Sequence, residues 1–157
     1  MLATTAFAAS PTLRASAMNL LVETFEDHTG FRLVYTPPTE NASDDGLNFT
    51  VNWIPEGYKL ESHRENRFSA RCVYSSDNCQ ELSIGLFEGE NTGLCLDTEN
   101  AEVHDEMING KKAVIITKEE VSQLCLIDEK KGNYLLITGS MEQTDDLVKI
   151  AQNIQFE

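Results

Sequence analysis

The chain has 157 residues, room for one domain with its own core, and 41% of them are hydrophobic while 24% are charged, which excludes wholesale disorder. Twelve Lys and Arg stand against 26 Asp and Glu, a formal net charge of -14. That field repels phosphate backbones and anionic headgroups, so nucleic acid and bare membrane are poor partners; it leaves solubility, or a docking surface for something cationic.

No run of about 18 apolar residues occurs, so no transmembrane helix is expected within the chain. The first residues are apolar and small, and Ala6-Phe7-Ala8 has the pattern of a signal-peptidase site without the basic n-region of a complete signal. Residues 1–9 therefore read as the remnant of a signal or membrane segment that begins upstream. The alternative is an Ala-rich lead-in to a helix.

Residues 10–46 read as a membrane-proximal helix, a short strand and a linker. Ser10-Pro11 suits a helix start, since Ser caps free amides and Pro fits the first helical position. Leu13, Ala17, Leu20, Leu21 and Phe25 recur at helical spacing up to Gly30, and Phe31 to Tyr35 is strand-like. Thr36 to Gly46 is polar and turn-rich, the expected linker.

From residue 47 the period changes to two. Leu47, Phe49, Val51 and Trp53 alternate with polar residues, Pro55-Glu56-Gly57 turns, and Tyr58 to His63 is extended again. Phe68, Ala70, Cys72 and Tyr74 alternate up to a turn at Ser75–Asn78, and Leu82, Ile84 and Leu86 share the next strand face. Gly93 to Leu96 is a short apolar strand before an acidic loop. Asn109-Gly110 predicts a hairpin between Val103–Ile108 and Lys112–Thr117. Val121 to Asp128 and Tyr134 to Gly139 are further strands around a turn at Lys130–Asn133. Thr144 is placed to cap a closing helix carrying Leu147, Ile150, Ala151 and Ile154 on one face. Consecutive strands without βαβ alternation predict an α+β fold: a meandering antiparallel sheet with an N-terminal and a C-terminal amphipathic helix packed on it.

Cys72, Cys79, Cys95 and Cys125 are an even set, compatible with an oxidising compartment. Cys72 with Cys79 across the turn and Cys95 with Cys125 around a longer loop is one pairing, the second bond worth roughly 3–4 kcal/mol if unstrained. Four small buried hydrophobes are the alternative.

Catalytic signatures are missing: no Gly-rich phosphate loop, no G-x-S-x-G and no H-E-x-x-H. His28, His63 and His104 are available to activate a thiol, and His104-Asp105 offers a nearby carboxylate, yet no spacing sets His104 beside a cysteine. Cys72 and Cys79 are too far apart for a zinc knuckle. Asp97, Glu99, Asn100, Glu102, Asp105 and Glu106 lack the order of a calcium loop and read as a solvated acidic stretch. Asn41-Ala42-Ser43 and Asn48-Phe49-Thr50 match the short glycosylation pattern. No catalytic, cofactor-binding or metal-ligating residue is expected.

One set of motifs is familiar in its order. Trp53-Ile54-Pro55-Glu56-Gly57-Tyr58 is followed by Ile108-Asn109-Gly110-Lys111, by Gly132-Asn133-Tyr134 and by the closing Leu147-Val148-Lys149-Ile150-Ala151. Together, from about Leu47 to Phe156, they resemble the domain of unknown function 4367 (DUF4367). Residues 47–157 are the expected domain, with Trp53, Pro55, Gly57, Tyr58, Asn109, Gly110, Gly132 and Tyr134 as structural motif residues. Cys125 departs from the pattern, standing where an aromatic, commonly Trp, is expected.

The resemblance implies a setting: such domains are similar to the extracytoplasmic C-terminal parts of bacterial membrane proteins, often anti-sigma-like ones. It implies a non-catalytic sensor or interaction domain in the envelope, partnered by an unknown envelope protein or small ligand. Contact with the membrane would come only through a missing upstream anchor. A carrier of an apolar lipid or peptide is the alternative, and a hydrolase without a signature the third reading.

Overall fold

The computed structural model describes residues 20–24, 29–33, 47–88, 94–128 and 131–156. Its centre is a seven-stranded antiparallel sheet made of two meanders. Strands β4 (Tyr58–Asn66), β5 (Ser69–Ser76) and β6 (Glu81–Glu88) form the first; β8 (Glu102–Ile108), β9 (Lys111–Lys118), β10 (Val121–Asp128) and β11 (Asn133–Ser140) form the second. They join where β11 pairs with β6, Leu135 opposite Leu86 and Ile137 opposite Ile84. The spatial order is β4-β5-β6-β11-β10-β9-β8, so the chain must cross from the middle of the sheet to its far edge between β6 and β8. On that crossing lies β7 (Leu94–Leu96), which pairs with β2 (Thr29–Leu33), itself paired with β1 (Leu20–Thr24).

Both sheet edges carry protection against pairing with foreign strands. β4 bears Lys59, Glu61, His63, Arg64 and Glu65 and is broken by a bulge between Leu60 and Ser62; β8 bears Glu102, His104, Asp105 and Glu106.

Period-two alternation sorts the side chains onto two faces. Ala70, Leu82, Ile84, Leu86, Ala113, Leu124, Leu126, Leu135 and Ile137 form the larger core. That face is covered by the helix α1 (Thr144–Gln152), through Leu147, Ile150 and Ala151, and by the small pair β3 (Phe49–Val51) and β12 (Ile154–Phe156). Phe49 stands opposite Phe156, so the two ends of the domain are hydrogen-bonded together. Val114, Ile116, Cys125, Ile127 and Tyr134 on the other face make a second core with Leu96 and the half-buried Leu94.

The closing helix is shorter than its sequence period suggested. A 3-10 turn, Met141–Gln143, precedes it, and Gln143 Oε1 accepts from Ser140 N (3.0 Å) and Ser140 Oγ (3.1 Å). Thr144 is thus not the cap: its hydroxyl donates to Met141 O at 2.8 Å and lies 2.7 Å from Ser122 Oγ, a buried group that also lies 3.1 Å from Thr117 Oγ1. Asn153 ends the helix, and Ile154 belongs to β12, where pairing with Val51 holds it extended.

The N-terminal helix is corrected over Leu20–Thr24, which is strand β1. Val22 and Thr24 are β-branched, and Thr29–Leu33 supplies a partner for every residue of the strand; adjacent Leu20 and Leu21 fit either period. Leu13, Ala17, Phe25 and the linker at 36–46 lie outside the described residues. Among the described residues the fold is mostly antiparallel sheet with one short C-terminal α-helix.

Gly139 decides how closely that helix sits. A Cβ there would stand 3.0 Å from Gln143 Oε1 and 3.1 Å from Leu147 Cδ2. Gly139→Ala should therefore cost about 1–3 kcal/mol in urea unfolding through overpacking, with secondary structure retained. An unchanged midpoint would show that the helix gives way without cost.

Candidate functional site

Over β9, β10 and β11 the second face of the sheet meets Leu94 and Leu96; its other half is made by β4, β5 and β6. Here runs a groove of about 480 Å³, lined by Arg71, Ser83, Gly85, Phe87, Leu136 and Thr138 among others. A neighbouring hollow of about 420 Å³ shares Arg71 and Glu81 and extends the run to Arg64 and Ser62 on the edge strand.

The cross-strand register sets the groove's chemistry. Arg64 stands opposite Arg71, Arg71 opposite Gly85, and Gly85 opposite Leu136, one row across four strands. The Phe87 ring folds back over Gly85, and a Cβ there would lie 2.6 Å from Phe87 Cε2, so a side chain at this position would push the ring away. That ring stacks on Tyr134, centroids 5.2 Å apart at 19°. Arg71 Nε donates to Ser83 Oγ at 2.9 Å, orienting the guanidinium along the sheet. Among the described residues neither Arg64 nor Arg71 makes an ion pair, although Glu61 and Glu81 line the same hollow.

The motif residues lie elsewhere, and three of them grip the helix. Lys149 Nζ sits 3.9 Å from the centre of the Trp53 ring. Tyr58 OH accepts from Gln143 Nε2 at 2.6 Å and donates to Gln80 Oε1 at 3.3 Å. Asn109 Nδ2 donates to Gln152 O at 2.8 Å, satisfying a carbonyl at the helix C-terminus. Pro55 O accepts from Tyr58 N at 3.3 Å around Gly57 at φ +89°, and Asn109 and Gly110, at φ +51° and +75°, form the two-residue turn of the β8–β9 hairpin. Gly132, at φ +70°, closes the β10–β11 turn ahead of Tyr134. These residues build scaffold.

His104, the histidine with a neighbouring carboxylate in sequence, is exposed beside Glu102 and stands opposite Ile115. The register instead puts His63 opposite Cys72, with His63 Nε2 3.9 Å from Glu65 Oε2. Folding the β4–β5 hairpin at Arg67-Phe68 would have shown this pairing in the sequence, as it would Arg64 with Arg71. A nucleophilic thiol needs a lowered pKa. Burial pushes the Cys72 thiol up, against a smaller lowering by its hydrogen bond with Tyr74, and burial likewise raises Tyr74.

Cys72, Cys79 and Cys125 are free thiols, so neither proposed disulfide is formed. Cys72 lies mid-strand facing His63 and Ile84, whereas Cys79 sits in the turn at φ +61°. Cys125 is buried opposite Val114 and Leu136, filling the position of the expected aromatic as a small hydrophobe. In the acidic stretch, Asp97 pairs with Lys118, whose ammonium is held charged above its ordinary range by that hydrogen bond, and Glu99 N donates to Asp97 Oδ1. Among the described residues no three His, Cys, Asp or Glu are grouped to hold a metal ion. Asn48 is exposed at the start of β3, its Oδ1 accepting from Phe49 N; Asn41 lies outside the described residues.

Burial alone pushes the Cys125 thiol from 9.0 up to about 12. The folded chain then holds that proton where the unfolded chain releases it, so unfolding free energy should fall as pH rises from about 9 toward about 12. Cys125→Ala should flatten that decline; an equal decline in the variant would assign it to other groups. A disulfide reagent at about pH 8 should label Cys79 first and Cys125 only on unfolding, and Cys79→Ser should remove the fast phase. Immediate labelling of Cys125 would contradict its burial.

No curated protein matches the chain. Residues 48–154 match the model of a family described as a domain of unknown function. The match runs from the start of β3 to β12, taking in the helix, its three clamps and the whole seven-stranded sheet. The chain belongs to the DUF4367 family.

Proposed function

We propose that the domain is a non-catalytic sensing or interaction module of an anti-sigma-like bacterial envelope protein, working outside the cytoplasm and tethered through an upstream anchor. The observation that supports this reading is the polar-rimmed groove on the second sheet face, where two arginines without an ion pair among the described residues lie on an otherwise filled core. Catalytic readings gain no support from the cysteines, whose perturbed thiols are both shifted toward the unreactive protonated form. An apolar-ligand carrier draws support only from the groove's apolar side, Phe87 and Leu136.

Deleting residues 31–157 from the native gene tests the reading. Transcription induced by envelope stress should become unresponsive, either constitutively high or permanently low, with the truncated protein still present. Unchanged stress-dependent transcription would overturn it.

A further inference from the structure

We propose that the groove binds an extended, largely apolar segment of a partner protein and recognises in it a single internal Asp or Glu side chain, held by Arg71 and Arg64 together. The inference rests on reading the domain as an interaction module and adds the site and the chemistry of what it takes.

The arginine pair carries the argument. Like charges directly opposite on neighbouring strands destabilise a sheet, and this chain has 26 acidic side chains with which to avoid such a pairing. Instead Arg64 and Arg71 stand opposite each other, and among the described residues neither makes an ion pair. Arg71 is already oriented through Nε by Ser83, leaving its terminal guanidinium donors for a planar oxyanion. A carboxylate bound there cancels the repulsion.

The rest of the groove narrows the ligand. Beyond Arg71 the groove is lined by the Phe87 ring, folded over Gly85, and by Leu136, an apolar surface for apolar side chains. Thr138 and Ser83 add hydroxyls within reach of a peptide backbone. Arg71 lines both hollows, so the cation lies midway along the run rather than at an end. A side chain within a passing segment meets that geometry; a chain terminus does not. From β4 to β11 the row spans roughly 15 Å, about four or five extended residues. Glu81 and Glu120 on the rim, with the net charge of -14, oppose a polyanion and admit one carboxylate among neutral neighbours.

The test uses the whole chain and a bead library of N-acetylated, C-amidated octapeptides in which apolar residues flank one Glu, with matched Gln peptides. Blocking both termini leaves the side chain as the only carboxylate. The Glu members should be selected, and fluorescence anisotropy of a labelled winner should show at least about tenfold weaker binding for its Gln twin and for Arg71→Gln or Arg64→Gln. Arg67→Gln, which removes a hairpin-turn cation stacked on Phe68, should bind unchanged. Circular dichroism of each variant checks that the sheet is intact. Equal binding of Gln and Glu peptides, full affinity in Arg71→Gln and Arg64→Gln, or no selected peptide at all would overturn the proposal. If any of these occurs while the deletion of residues 31–157 still abolishes the stress response, the groove is retired and the sensing role stands.

Discussion

The architecture depends on seating one short helix against the sheet. Leu147 and Ile150 are fully buried and Ala151 nearly so, each large side chain contributing about 1.5–3 kcal/mol relative to exposure. A nine-residue helix is too short to persist unaided, so its existence is a tertiary fact. The sheet must offer it a flat, close seat, which Gly139 provides, and anchors that fix its rotation. Those anchors come from sites remote in sequence: Trp53 over Lys149, Tyr58 on Gln143, and Asn109 on the carbonyl of Gln152. The start, body and end of the helix region are each held once. Residues that look like unrelated motifs along the chain thus converge on one element.

The seven-stranded sheet has two faces to protect from water and, among the described residues, one α-helix to do it with. The β3–β12 pair completes cover on the helix side, and the β6–β8 crossing brings Leu94 and Leu96 over part of the other. The half made by the first meander carries the groove, and its composition differs accordingly. β10 alternates Leu124 and Leu126 with Cys125 and Ile127, apolar on both faces, whereas β5 sets Ala70 and Cys72 against Arg71 and Val73. The boundary between the two halves is the Phe87–Tyr134 stack, whose ring over Gly85 ends the apolar layer and forms one wall of the groove.

Legibility in the sequence followed the range of the interactions. The Asn109-Gly110 hairpin was legible because two residues with positive φ suffice to turn the chain, and the flanking alternation agrees in register. The strands from Tyr58 to Gly139 were legible for the same local reason. At Leu20-Leu21 the local signal was ambiguous between periods, and pairing with Thr29–Leu33 decided it. The helix was read too long at its end because Ile154 continues the apolar spacing, while its true partner, Val51, lies a hundred residues earlier in the chain. Thr144 was misread as a cap because the 3-10 turn before it, stabilised by Gln143 and Tyr58, depends on a contact across the domain.

The groove shows the same limit more sharply. Its arginine pair is a hairpin property, recoverable from the turn at Arg67-Phe68 and the two alternating runs beside it. Its apolar wall is not, because Leu136 and Thr138 join the site only through β11 lying beside β6, a pairing between two meanders rather than within one. None of the motif positions lines the groove; Tyr134 alone touches its boundary, through Phe87. The division follows from what each set of residues must do. A clamp on the helix tolerates little change, since loosening it exposes a core stripe. An open sheet face carries no such packing constraint, so its side chains are free to be selected for what they bind.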